Sequence, residues 1–337
     1  MARPSTGTDR FDFDALHDAV ARVRSKQVFF IGGAPKSGTT WLQLLLNAHA
    51  GISCHGEGHF ANRLLPTLTK AMKVYNTTIN LKNQSIFEGL EGQPLFTNRH
   101  VFYLVTVAIS LMLCRPEKAN AAQIVGDKTP DNVQFFPLLA TLFPQARFIH
   151  IIRDGRDCAV SAWFHNLRLN STQLASKFPS FDKFAEHIAQ IWVANVGGGA
   201  RFAAENPARC LSIRYEDLSA DPLNVLDQVC TFLGASRDAA TLRACLAAAD
   251  FDRLSGGRPR GEEDRRSFFR RGLPGDWRNH FDARTERAFR MRAEPWLSNF
   301  RYTSTEGETS GGAHRGTGRA AAAASADAAG SHGRMAE

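Results

Sequence analysis

The stretch GGAPKSGTTW, residues 32–41, lies between a short apolar run and a helical pattern. Its residue types suit an anion. A strand that turns through glycine into a helix leaves the N–H groups of Ser37, Gly38, Thr39 and Thr40 free at the positive end of the helix dipole. The hydroxyls of Thr39 and Thr40 add donors, and Lys36 adds a cation. A nucleoside-triphosphate loop places its lysine after the second glycine. Gly33 and Gly38 match that pattern, but Thr39 stands where the lysine belongs and Lys36 lies inside the loop. Taken alone, the stretch can be read as an ordinary turn, a degenerate triphosphate loop, or an anion site of another kind.

Two further stretches carry the same kind of chemistry. In FIHIIRDGRDCAVSAWFH (148–165), an apolar strand ends at Arg153 and Ser161 follows eight residues later, two turns along a helix. An arginine at a strand end and a serine on the next helix can converge on one phosphate. Asp154 and Asp157 read as caps or partners for Arg156. In SFFRRGLPGDWRNHF (267–281), Arg270, Arg271 and Gly272 form a basic turn ahead of a Gly-Asp-Trp run.

Together these segments resemble the sulfotransferase family, over about residues 27–300 and in the family's order. PKSGTTW resembles the family's 5′-phosphosulfate loop. By that resemblance Lys36 contacts the oxygen bridging phosphate and sulfate, and stabilises charge on the leaving phosphate. Ser37, Gly38, Thr39 and Thr40 hold the 5′-phosphate, and Trp41 stacks on adenine. Arg153 and Ser161 match the 3′-phosphate segment. Arg270, Arg271 and Gly272 match the C-terminal cofactor segment, with Arg271 where the family usually has lysine. Tyr215 matches a tyrosine near the adenine, and Phe251 an adenine-packing phenylalanine. The implied donor is 3′-phosphoadenosine-5′-phosphosulfate, with adenosine 3′,5′-bisphosphate as product and no metal.

Sulfuryl transfer also needs a base for the acceptor proton. Cytosolic sulfotransferases take it from a histidine in a Lys-Thr-His-like segment. Here the corresponding stretch, GDKTPDN (126–132), has Pro130 in that place, so the assignment does not carry over. CHGEGHF (54–60) resembles the glutamate segment of the Golgi heparan sulfate and tyrosylprotein sulfotransferases. Glu57 lies 21 residues beyond Lys36. The expectation is Glu57 as base, with Lys36 and Lys128 around the sulfuryl group, and His55 and His59 as runners-up.

The elements that must position these residues alternate in type. Strands are expected at 27–33, 122–127, 147–153 and 210–217, and helices at 39–50, 156–168 and 222–233. Near-continuous apolar strands separated by helices predict an α/β architecture: a P-loop-like three-layer fold with a central parallel sheet flanked by helices. Ligands in such sheets bind at the carboxyl ends of the strands, where all of these motifs fall. A lead-in helix is expected in residues 1–25, with Phe11, Leu16, Val20 and Val23 roughly on one face. A single transferase domain follows over 26–302, then a low-complexity, disordered tail over 303–337. Residues 59–123, with 165–181, are expected to form the acceptor site and its lid. Within them VFYLVTVAISLMLC (101–114) is too short to span a bilayer and reads as a buried helix.

The chain has 337 residues, with 41 Lys and Arg against 33 Asp and Glu, a formal net charge of +8. That balance favours anionic partners. A nucleic-acid binder is disfavoured, because no recognised cluster of interleaved basic and aromatic residues is present. A P-loop kinase or NTPase is disfavoured by Lys36 and by the Arg153–Ser161 pair. A donor-binding protein without turnover is a further alternative. The six cysteines form no Cys-x-x-Cys pair, and acidic residues interrupt the N-terminal region. These features predict reduced thiols, no secretory leader and a cytoplasmic protein. The expected acceptor is a small molecule, a lipid or a glycan; neither it nor the oligomeric state can be read from the residues.

Overall fold

The computed structural model describes residues 12–302, apart from 89, 115 and 116. Five strands form one sheet: β1 (Gln27–Gly32), β2 (Ile52–Gly56), β3 (Ile124–Lys128), β4 (Arg147–Ile152) and β5 (Cys210–Arg214). Their order is β2-β3-β1-β4-β5 and every neighbouring pair is parallel. Such pairing needs a crossover between strands, and helices supply it on both faces. The α/β, three-layer expectation is met.

The helices are α1 (Phe13–Arg24), α2 (Thr39–Ala48), α3 (Leu65–Phe87), α4 (Asn98–Cys114), α5 (Glu117–Ala121), α6 (Phe136–Leu142) and α7 (Gly155–Lys177). They continue with α8 (Phe181–Glu205), α9 (Tyr215–Ala220), α10 (Pro222–Leu233), α11 (Ala239–Ala248), α12 (Phe251–Leu254), α13 (Ala283–Ala293) and α14 (Trp296–Asn299). Alternation along β1 sorts its side chains between two cores. Phe29 and Ile31 pack with α2, α10 and α11 residues such as Leu42, Leu226 and Leu242. Val28 and Phe30 pack on the other face with Val105, Phe136 and Phe202. Burial on both faces is why β1 reads as unbroken apolar sequence.

Three expectations change. β2 was not foreseen as a strand, because ISCHG is short and half polar; only Ile52, Ser53 and Cys54 are buried. The 101–114 run is the body of α4, but only one face is covered. Val101, Val105 and Ile109 are buried, whereas Tyr103 and Met112 are exposed. The lead-in helix α1 is capped by Asp12, which accepts from Ala15 N at 2.9 Å. It buries Ala19 and Val23 but leaves Leu16 45% exposed. Phe11 and the tail over 303–337 lie outside the described residues. No helix among the described residues is long and apolar enough to cross a membrane.

Candidate active site

The turn from β1 to α2 is built for close approach by an anion. Gly38 is the N-cap of α2, with φ 97°, and no side chain caps the first turn. The first N–H groups of the helix therefore have no partner of that kind. A Cβ on Gly38 would stand 2.5 Å from the Tyr215 ring, so glycine is required there. The Ser37 hydroxyl is fully buried and has no hydrogen-bond partner. Lys36 also adopts a positive φ, 70°. That conformation turns its side chain into a cavity, with Nζ 4.4 Å from the centre of the Phe268 ring. Burial, with the nearby charges of Arg153 and Arg168, lowers the Lys36 ammonium to a pKa of about 8.

Strand register brings the other predicted reactive groups beside this turn. Lys128, the last residue of β3, is opposite Ile31 of β1 on one side and Gly56 of β2 on the other. Gly56 leaves room for it: a Cβ there would stand 2.7 Å from Lys128 Cε. The buried Lys128 ammonium donates to Glu57 Oε1 over 2.6 Å and to Thr40 Oγ1 over 3.2 Å. Its reach thus joins the helix after β1 to the residue after β2. The loop carrying Glu57 is pinned by Asp127. Oδ1 of Asp127 accepts from Gly58 N at 2.8 Å, and Oδ2 accepts from Thr129 and Asn132. His59 Nε2 lies 3.5 Å from Glu57 Oε2. Neither His55 nor His59 lines the cavity, whereas Glu57 does.

The second and third segments are locked to one another. Asp154 caps α7 through Arg156 N and pairs with the Arg156 guanidinium at 2.7 Å, as expected. Asp157, in the first turn of α7, instead accepts from Gly275 N and Trp277 N, and lies 3.5 Å from Arg153. Arg156 stacks on Trp277 at 3.6 Å. The Gly-Asp-Trp run is thereby tied to the end of β4. Asp276 of that run accepts from both Arg270 and Arg271. Burial pushes its acid up, but those arginines and Asn279 outweigh it and hold the carboxyl at about 2. Arg153 donates to Lys36 O at 3.3 Å and lies 4.3 Å over the Tyr215 ring. Its Nε is buried without a partner.

These elements enclose a cavity of about 770 Å³. Of the predicted site residues, Lys36, Gly38, Thr39, Thr40, Trp41 and Glu57 line it. So do Arg153, Ser161, Tyr215, Arg270, Arg271 and Gly272, and Phe251 with them. Ser37 and Lys128 sit behind the wall, the first under the turn and the second behind Glu57. Trp41 is held by a hydrogen bond from Nε1 to Ala249 O at 3.0 Å and meets Tyr215 edge to face.

None of the described residues of 59–123 lines this cavity; its other arm runs between α7 and α8, and Asn166, Asn170, Leu174 and Phe178 of the 165–181 stretch do line it. Lining residues not singled out from the sequence include Arg260, Phe268 and His165, the last within the 165–181 stretch expected at the acceptor site. Arg260 stands 5.1 Å over Trp41, but its position in an arginine-rich loop without a motif hid it. Phe268 was only a neighbour of the arginine pair in sequence. His165 is four residues beyond Ser161 on α7, a helical spacing that signals a shared face. Its Nδ1 lies 3.2 Å from Arg168 Nη2. Arginine can only donate, so Nδ1 accepts and the neutral ring carries its proton on Nε2. Burial and the Lys36 charge lower its pKa to about 4.

A profile described as the sulfotransferase family matches residues 28–239. Protein-tyrosine sulfotransferase 2 of Gallus gallus is 24% identical over 223 residues, 66% of this chain and 55% of that protein. Cytosolic sulfotransferase 16 of Arabidopsis thaliana is 24% identical over 271 residues, 75% of this chain and 70% of that protein. The chain spans about half the length of the first protein-tyrosine relatives it matches. Among solved structures, mouse sulfotransferase SULT7A1 complexed with PAP superposes with a TM-score of 0.51 at 19% identity. It covers 85% of this chain and 90% of that one. That likeness concerns the fold.

Proposed function

The chain belongs to the sulfotransferase family, and from that premise we propose that it moves the sulfuryl group of 3′-phosphoadenosine-5′-phosphosulfate to a hydroxyl or amine. The observation that carries this reading is that Lys36, Thr40 and Glu57 line one cavity at the anion turn, with Lys128 behind them bonded to both Thr40 and Glu57. The donor supplies an activated sulfur–oxygen bond. The turn from Ser37 to Thr40 suits its 5′-phosphate, Arg153 and Ser161 suit its 3′-phosphate, and Trp41, Tyr215 and Phe251 suit its adenine. Arg270, Arg271 and Gly272 close that wall. Arg153, which lines the cavity with its buried Nε unpartnered, fits an anionic ligand there, because buried polar groups otherwise find partners.

In the reaction, the acceptor oxygen attacks sulfur in line with the bridging oxygen. The new S–O bond forms as the bridging bond breaks. Glu57 takes the acceptor proton, and Lys36 neutralises the charge left on the departing phosphate oxygen. Lys128, behind the wall, orients the Glu57 carboxylate from the protein side. A protein tyrosine is one acceptor to test, since the relatives include protein-tyrosine sulfotransferases. A cytoplasmic location is part of the proposal; the six cysteines are free thiols, which suits a reducing compartment.

The test is transfer of labelled sulfate from donor to a panel of phenols, lipids, glycans and tyrosine peptides, read by mass spectrometry of the product. Calorimetry with adenosine 3′,5′-bisphosphate and with ATP plus magnesium runs beside it. Tight binding of ATP–magnesium with none of the bisphosphate would overturn the reading.

A further inference from the structure

The cavity extends beyond what the donor groups occupy. Past Glu57 and His165 it continues between α7 and α8, over Leu174, Phe178, Phe184, Ile188 and Ile191. Leu174 and Phe184 are buried, and Phe178 meets Phe184 edge to face at 5.1 Å. This arm exists because α7 breaks. Asn170 has φ −161° and ψ 84°, and its Oδ1 accepts from Gln173 N at 2.9 Å, capping the helix anew. The restarted turn carries Leu174 against Phe184. Neutral amides, Asn166, Asn170 and Gln173, line the rim. Lys177, the last residue of α7, lines this arm too, and Phe178 beside it meets His187 at 5.1 Å. Among the described residues lining the cavity, Glu57 is the one carboxylate.

We infer that the acceptor is a long apolar compound with a hydroxyl at one end and an acid at the other. This rests on the sulfuryl-transfer reading of the same site. The apolar floor gains by covering hydrocarbon and has nothing to offer the hydroxyl rows of a glycan. An extended peptide would bring a backbone donor and acceptor at nearly every residue, and this wall answers with three side-chain amides. Lys177 gives the distal acid a cation where no carboxylate competes. The hydroxyl then lies at Glu57, which takes its proton as its oxygen bonds to sulfur and the bridging oxygen leaves with the nucleotide.

The full chain saturated with adenosine 3′,5′-bisphosphate is titrated calorimetrically with ω-hydroxydodecanoate, its methyl ester, a disaccharide and an acidic tyrosine peptide. Labelled-donor transfer to each is measured in parallel. The acid is expected to bind best, ahead of the ester by up to about fivefold, the range for an exposed ion pair. Lys177→Gln should bring acid and ester to equal affinity. Ile188→Asp should remove both while nucleotide affinity stays unchanged, which shows that the variant is folded. Equal binding of acid and ester to the unaltered protein, binding of neither, or sulfation of the peptide alone would overturn the inference and leave the transfer reading standing. Failure of the unaltered protein to bind the nucleotide would overturn both.

Discussion

The Lys128 ammonium donates to the Glu57 carboxylate over 2.6 Å, although 71 residues separate the two. Lys128 is buried and Glu57 is partly open to the cavity. The pair is thus anchored on the protein side and free on the reacting side. A buried cation behind a carboxylate fixes its orientation without capping the oxygen that must receive a proton.

Glu57→Gln should therefore lower sulfuryl transfer by about two to four orders of magnitude, the usual share of a positioned base. Gln keeps an oxygen for Lys128, so the turn and the affinity for adenosine 3′,5′-bisphosphate should change little. Steady-state rates beside calorimetry separate the two quantities. Near-normal turnover would move the base elsewhere.

Lys36 sets a pH dependence. Its ammonium is depressed to about 8, first by burial. Since the folded-state pKa lies below the unfolded one, the charged form weakens the free fold below about pH 8, and that penalty fades as pH rises. Bound phosphate reverses the preference by favouring the cation. Nucleotide binding should take up a proton above about pH 8 and weaken there, and Lys36→Arg should flatten that limb. Calorimetry in buffers of different ionisation enthalpy measures the proton count.

Arg153 and Ser161 should set the preference for a 3′-phosphorylated nucleotide. Ser161→Ala should lower the affinity for adenosine 3′,5′-bisphosphate while leaving that for adenosine 5′-phosphate unchanged. A neutral-to-charged hydrogen bond of this kind carries about 1.5–3 kcal/mol. Equal losses for both nucleotides would remove Ser161 from the 3′ site.

Asp276→Asn should loosen the segment that carries Arg270 and Arg271. The carboxyl lies at about 2, against an ordinary 3.8, a difference of about 2 kcal/mol. A depressed acid stabilises the fold above its unfolded pKa and loses that contribution as pH falls through the folded one. The native protein should therefore lose stability from about pH 4 down to about 2. The variant should start lower and show a shallower acid limb in thermal melts, with weaker nucleotide binding.

Gly38→Ala should abolish nucleotide binding. Its φ of 97° and the Tyr215 ring 2.5 Å from the added methyl both oppose the change. The left-handed backbone alone costs about 1–2 kcal/mol. The melting temperature should fall, and adenosine 3′,5′-bisphosphate should no longer raise it.

The residues that gather around the anion turn were legible in the sequence because each sits next to a strong local signal. Glycines and a lysine follow an apolar strand at 32–38, an arginine ends the strand at 153, and a Gly-Asp-Trp run follows the arginine pair at 270–271. Strand, turn and helix start are set by neighbours within a few residues, so hydrophobic period and turn chemistry suffice to read them. Three things were decided only by tertiary structure. ISCHG becomes a strand because β3 offers it an edge, not because its own residues insist. Lys128 meets Glu57 because parallel register sets β2, β3 and β1 side by side. The second arm of the cavity is lined from α7 and α8, using the 165–181 stretch but none of the described residues of 59–123, because a break at Asn170 turns Leu174 against Phe184. Each of these depends on contacts between residues far apart in the chain, and composition and spacing carry no record of such contacts.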